Sequence, residues 1–127
     1  MVYTQYILCS VSDDVFEQLA RATGFDWDDG NAPKVVSRHQ IDPGVCEQAF
    51  FVEPFAAKFD TRHASLEPRW RALGRTLAGR RLYLVFTFRG TGETLIRVIQ
   101  GRDMNRKERQ EYEHIQARVE KDSDVSD

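Results

Sequence analysis

The sequence predicts an α+β domain in which a twisted antiparallel sheet packs against helices. Three observations carry that prediction. Apolar residues recur at helical spacing before Gly24 and again after Pro43. The pattern changes to period two between Glu67 and Gln100. A helix start with the spacing of a capping box then follows at Asn105. Helices, then a strand meander, then a closing helix is an α+β order, not the alternation of a parallel α/β sheet. With 127 residues, 41% of them hydrophobic and 30% charged, the chain has the size and composition of one domain with a single core.

Each element has its own signal. Residues 2–8 read as a short strand. Ser12, followed by Asp13 and Asp14, is a helix start; Val15, Phe16, Leu19 and Ala20 then share one helical face, and Gly24 ends the helix. Asn31 reads as the cap of a second helix, with Pro33 in its first turn and an end near His39. Pro43 opens a third, with Val45, Cys46 and Ala49 turned inward and Pro54 as its stop. In residues 67–76, Trp70, Ala72 and Gly74 fall on one strand face and Arg69, Arg71, Leu73 and Arg75 on the other. Residues 81–88 are apolar on both faces, the mark of a central strand. Gly90-Thr91-Gly92 makes the hairpin turn to a return strand over residues 94–100. These glycines lack the Gly-Lys-Ser/Thr of a phosphate loop, and a strand follows them. Asn105 and Glu108 have capping-box spacing at the head of a last helix that turns Tyr112, Ile115 and Val119 inward. Lys107–Glu111 and Arg109–Glu113 are spaced for outer ion pairs. From about Lys121 the acidic tail predicts disorder.

Charge is unevenly spread. The net charge is −2, yet residues 30–119 hold 16 basic and 10 acidic residues, a net of +6. Residues 62–109 alone hold 12 basic and 4 acidic, and arginine supplies 14 of the 18 cations. Arginine's planar fork suits bidentate contact with phosphate, so an anionic partner fits despite the acidic total. The two cysteines, Cys9 and Cys46, lie far apart in the chain and fit no zinc spacing, and His39, His63 and His114 form no close pair. No metal site and no cofactor are expected. Cys46, in an apolar stretch, reads as a small core residue. No apolar run approaches the ~18 residues of a membrane-spanning helix. Residues 1–10 lack the basic start and long apolar stretch of a secretory leader, so a cytosolic location without a membrane partner is expected.

The residue types needed for RNA cleavage are available. Arg69, Arg71 and Arg75 share one strand face. Arg97 stands inside an otherwise apolar strand, and Arg102 follows near its end. A charge in a half-buried strand needs a carboxylate partner or an anionic ligand. His63 and Glu67 precede the arginine strand, and either is a base for a hydroxyl proton. A base, arginines that stabilise charge on phosphorus oxygens and an acid for the leaving oxygen suffice for cleavage without a metal.

Five short blocks, in order, then carry a family resemblance. They are Phe25-Asp26-Trp27-Asp28-Asp29-Gly30-Asn31 with Lys34 and Arg38-His39; Cys46-Glu47-Gln48-Ala49-Phe50-Phe51; Asp60, His63, Glu67 and Arg69 with Ala72-Leu73-Gly74-Arg75-Thr76 and Gly79-Arg80; Val85-Phe86-Thr87 with Arg89; and Ile96-Arg97-Val98-Ile99 with Arg102-Asp103-Met104 and Arg106-Lys107-Glu108 before Tyr112. The sequence resembles the BrnT family of ribonuclease toxins of type II toxin–antitoxin systems. The resemblance implies a RelE-like fold, metal-independent endoribonuclease activity that inhibits translation, and a BrnA-like antitoxin partner. It also implies a complex of two toxins and two antitoxins that binds operator DNA through the antitoxin. By position it implies Glu67, Arg69, Arg97 and Arg102 as catalytic residues, with His63, Arg75, Lys34, His39 and Arg71 as further catalytic or RNA-binding residues. It divides the chain into an extension at residues 1–24, a toxin-like domain at 25–119 and an acidic tail at 120–127. Gln100-Gly101, before Arg102, departs from the family's pattern. That departure motivates the alternative of a catalytically weak or inactive member that serves as the antitoxin's partner in a repressor complex.

Overall fold

A computed structural model of the protein describes residues 14–33, 41–60 and 67–125. In chain order the elements are helix α1 (Asp14–Arg21), strand β1 (Gly24–Phe25), helix α2 (Pro43–Ala49), strands β2 (Ala56–Phe59), β3 (Trp70–Arg75) and β4 (Arg81–Arg89), a single 3₁₀ turn (Thr91–Glu93), strand β5 (Leu95–Asp103) and helix α3 (Arg106–Val125). The five strands form one sheet in the order β1-β5-β4-β3-β2, antiparallel except for β1, which runs parallel to β5. The α+β architecture expected from the sequence is the one observed, with β4 at the centre. The strand expected at residues 2–8, the Ser12 cap and most of the helix expected after Asn31 lie outside the described residues. Among the described residues no helix is long and apolar enough to cross a membrane.

One face of the sheet carries the main core. Trp70, Ala72, Leu82, Leu84, Phe86, Phe88, Ile96 and Val98 project from it and are buried against α1 and α2. Edge-to-face contacts of Phe50 and Phe88 with Phe86 and Trp70 organise this layer, with ring centroids 5.2–5.7 Å apart. Val15 and Phe16 of α1 belong to the same core, and Leu19 and Ala22 pack against it, so helix α1 is built into the domain. Ala20 is exposed and Ala22 packs inward instead. Gly74 sits where α2 comes closest to the sheet. A Cβ there would lie 3.0 Å from the Ala49 carbonyl oxygen and 3.3 Å from the Phe55 ring. Cys46 is fully buried in α2, and burial pushes its thiol up to about 12, which suits a core residue and not a nucleophile.

Helix α3 packs on the opposite face at one end, where Leu73, Met104 and Tyr112 form a second cluster with Tyr83. Tyr112 is fully buried, and its hydroxyl donates to the Pro54 carbonyl oxygen at 2.6 Å. The capping box forms as expected: the Asn105 amide donates to Glu108 Oε1 and the Glu108 amide to Asn105 Oδ1, both at 2.9 Å.

Several sequence expectations need correction. Gly24 starts β1 instead of ending α1, because the backbone of residues 23–26 pairs with β5: the Thr23 amide donates to the Thr94 carbonyl and the Asp26 amide to the Ile96 carbonyl. Strand β2 was not anticipated, since Ala56-Ala57-Lys58-Phe59 is too short to show a period. Helix α2 ends at Ala49, well before Pro54. Asn31 stands directly before the helical residues Ala32 and Pro33, and its buried side chain also accepts from the Asp28 amide and donates to the Asp26 and Val98 carbonyls. Arg109 donates to the Met104 carbonyl, and Glu113 pairs with Arg81 instead of Arg109. Helix α3 continues to Val125, through the segment whose composition predicted disorder. Once a helix is nucleated and docked, each added residue gains a backbone bond, so an acidic composition alone does not end it.

Candidate active site

The register places Arg71, Arg97 and Arg102 on the sheet face opposite the main core. Arg71 lies opposite Val85, Leu73 opposite Tyr83, and on the other side of β4 Arg97 lies opposite Thr87 and Arg102 opposite Tyr83. Lys58 of β2 adjoins Arg71. Strict alternation along β5 would send Arg97 and Arg102 to opposite faces, since they stand an odd number of positions apart. A bulge prevents this. Val85 pairs with Gln100 and Phe86 with Val98, so Ile99 is an extra residue and both arginines face the same way. Strand β5 also runs on to Asp103, so Arg102 lies within it and not beyond its end.

The arginines differ in how they are held. Arg97 Nη1 donates to Asp26 Oδ2 at 3.2 Å and to Asp28 Oδ2 at 3.1 Å, and its Nη2 donates to Asp28 Oδ1 at 2.9 Å. Its side chain is only 12% exposed. This is the carboxylate partnership that a charge within a strand requires. The Arg97 guanidinium and the Gly30 amide hold the Asp28 carboxyl below the usual carboxylate range. A Cβ at Gly30 would lie 2.9 Å from Arg97 Nη2 and 3.0 Å from Asp28 Oδ1, so a side chain there would have to displace this ion pair. On the other side of this loop, Trp27 Nε1 donates to Glu47 Oε2 of α2 at 2.8 Å. The aromatic-acidic block is therefore a clip that ties β5 to α2, with Trp27 as a packing anchor.

Arg69 and Arg71 show the opposite condition. The Nε–H group of each is buried with no hydrogen-bond acceptor among the described residues. A buried unpaired donor is destabilising, and an anionic acceptor reaching it would satisfy it. Glu67 stands at the end of this face in a bidentate pair with Arg89 (2.9 and 3.2 Å). Arg75 points away toward the loop before β2, where it donates to the Glu53 carbonyl at 2.7 and 2.9 Å. Lys34, His39 and His63 lie outside the described residues.

Arg102 anchors a group the sequence did not single out. Its guanidinium lies over the Tyr83 ring, 3.9 Å from the centroid, and pairs with both oxygens of Glu108 at 2.8 and 2.9 Å. Burial pushes the Tyr83 hydroxyl up, and the nearby positive charges of Arg71 and Arg102 only partly oppose it, so the ring stays neutral. For Glu108, burial acts upward. The hydrogen bonds from Arg102 and the Asn105 amide outweigh it, and the carboxyl is held below the usual range. Glu108 was legible as a cap and Tyr83 as an alternating strand residue. Nothing in the chain order linked either to Arg102.

Arg71 and Arg102 flank a neutral Tyr83 on this face, with Arg69 farther along it, and such cations can bind phosphate and stabilise charge on its oxygens. The comparison with protein families agrees with that chemistry. A family described as the ribonuclease toxin, BrnT, of type II toxin–antitoxin systems matches residues 27–108. No curated protein matches the chain. The matched segment covers more than half of the chain and contains the Asp28–Arg97 clip, the arginine strand and the Arg102–Glu108 pair. The chain belongs to the BrnT family of ribonuclease toxins of type II toxin–antitoxin systems.

Proposed function

We propose that this toxin is an endoribonuclease that cuts RNA without a metal ion and so inhibits translation, with the arginine-bearing sheet face as its active surface. The observation that carries this reading is the pair of buried, acceptor-less Nε–H groups of Arg69 and Arg71 on the sheet face that also carries Arg102 and Tyr83. In this mechanism the RNA 2′-hydroxyl attacks the adjacent phosphorus as a base takes its proton. Glu67 is the described candidate for that base and His63 is a second. The arginines stabilise charge on the non-bridging oxygens. The bond from phosphorus to the 5′-oxygen breaks, that oxygen takes a proton from a general acid, and the products are a 2′,3′-cyclic phosphate and a 5′-hydroxyl. The reading includes a BrnA-like antitoxin as partner, in a complex of two toxins and two antitoxins that reaches operator DNA through the antitoxin. Expression should arrest growth, and Arg71→Ala or Arg102→Ala should relieve the arrest. Absence of arrest, together with no RNA cleavage by the purified chain in EDTA, overturns the proposal.

A second reading is a weak or inactive member that serves as the antitoxin's partner in a repressor complex. One observation favours it: Arg97 and Arg102 both have carboxylates on their heads. It predicts tight antitoxin binding with no growth arrest.

A further inference from the structure

Arg102 is gripped from two sides, and the grip leaves one edge of its guanidinium unspent. Nη1 donates to Glu108 Oε1 at 2.8 Å and to the Asp103 carbonyl at 3.1 Å, while Nη2 donates to Glu108 Oε2 at 2.9 Å. The Tyr83 ring supports one flat side. Three of the five N–H donors are used. The Nε–H and the second Nη2–H remain, side by side in the guanidinium plane, with the spacing that grips two oxygens of a phosphate. The Glu108 carboxylate is itself fixed, since its Oε1 also accepts from the Asn105 backbone amide at 2.9 Å. An unheld arginine would sample many rotamers, and contact with phosphate would then cost ordering entropy.

We infer that Glu108 and Tyr83 are positioning residues that hold Arg102 so that its Nε–Nη2 edge takes a phosphate of the bound RNA. This rests on the ribonuclease reading for its catalytic consequence, but the binding contact has its own readout. The lowered Glu108 carboxyl keeps its charge at neutral pH, as the grip requires.

The test uses the full-length chain and a 2′-O-methyl RNA oligonucleotide, which lacks the attacking hydroxyl. Nitrogen-15 NMR follows the Arg102 Nε–H signal. RNA should shift that signal in the wild type and in Asn105→Ala, which breaks one half of the cap but leaves the Glu108–Arg102 pair. The shift should be lost in Glu108→Gln and in Tyr83→Leu, and kept in Tyr83→Phe, which retains the ring. With cleavable RNA, Glu108→Gln should lower kcat by roughly 10–100-fold with KM changed about twofold or less, while Asn105→Ala keeps the wild-type kcat. An Arg102 signal that RNA does not move in the wild type overturns the inference. So does a Glu108→Gln variant that behaves like Asn105→Ala in both readouts. A Glu108-dependent shift in a wild type that cuts no RNA supports the inference and refutes the ribonuclease reading alone.

Discussion

Arg97 and Arg71 share a face of the sheet but answer to different partners, and their substitution should separate stability from activity. Arg97→Ala leaves Asp26 and Asp28 facing each other without a cation. It should destabilise the fold by about 1–3 kcal/mol in urea denaturation, with activity lost in step with folding. Arg71→Ala removes a buried donor that has no acceptor. It should change stability by less than about 1 kcal/mol while reducing RNA cleavage by roughly 10²-fold. Glu108 gives a pH signature. Its carboxyl titrates lower in the folded chain than in the unfolded one, so its stabilising effect is present above the ordinary glutamate value of about 4.3 and fades as pH falls through the folded value. The stability gap between the wild type and Glu108→Gln should therefore be full at pH 7 and narrow steadily below pH ~4. A gap independent of pH would refute this assignment.

At the scale of elements, the sheet is held to its helices by a few close contacts. Tyr112→Phe removes the bond from α3 to the Pro54 carbonyl and leaves a buried acceptor unpaired. It should cost about 1–2 kcal/mol without altering the strands, measured by thermal unfolding and circular dichroism. The strands that were legible in the sequence are those long enough to show their period. Strand β3 alternates Trp70, Ala72 and Gly74 with Arg69, Arg71 and Leu73, and β4 is apolar on both faces because the core covers one face and α3 covers part of the other. Strand β1 has two residues and β2 four, too few for any period, and both exist through pairing with distant strands. Half of the candidate site was readable in the same way. Arg69 and Arg71 follow from alternation. Arg102 joins them only through the extra residue at Ile99, and a bulge leaves no mark in a hydrophobic pattern. Glu108 carried a local signal strong enough to explain it as a cap, which concealed its second role toward Arg102.

Across the whole molecule, the net charge of −2 conceals a strongly basic middle between acidic ends. Helix α3 runs on through part of the acidic end, to Val125. Deleting residues 120–127 should raise RNA affinity at low salt, with the gain shrinking toward physiological salt as screening takes over. Affinity unchanged at low salt would show that the acidic end does not repel RNA. The most direct test of a metal-independent nuclease acting through the arginine face is RNA cleavage by the purified chain in excess EDTA, with the product ends identified. Cleavage should persist, leave 2′,3′-cyclic phosphate and 5′-hydroxyl ends, and fall roughly 10²-fold in folded Arg71→Ala and Arg102→Ala variants. Activity that EDTA abolishes and a divalent ion restores, or variants that cut as fast as the wild type, would contradict it.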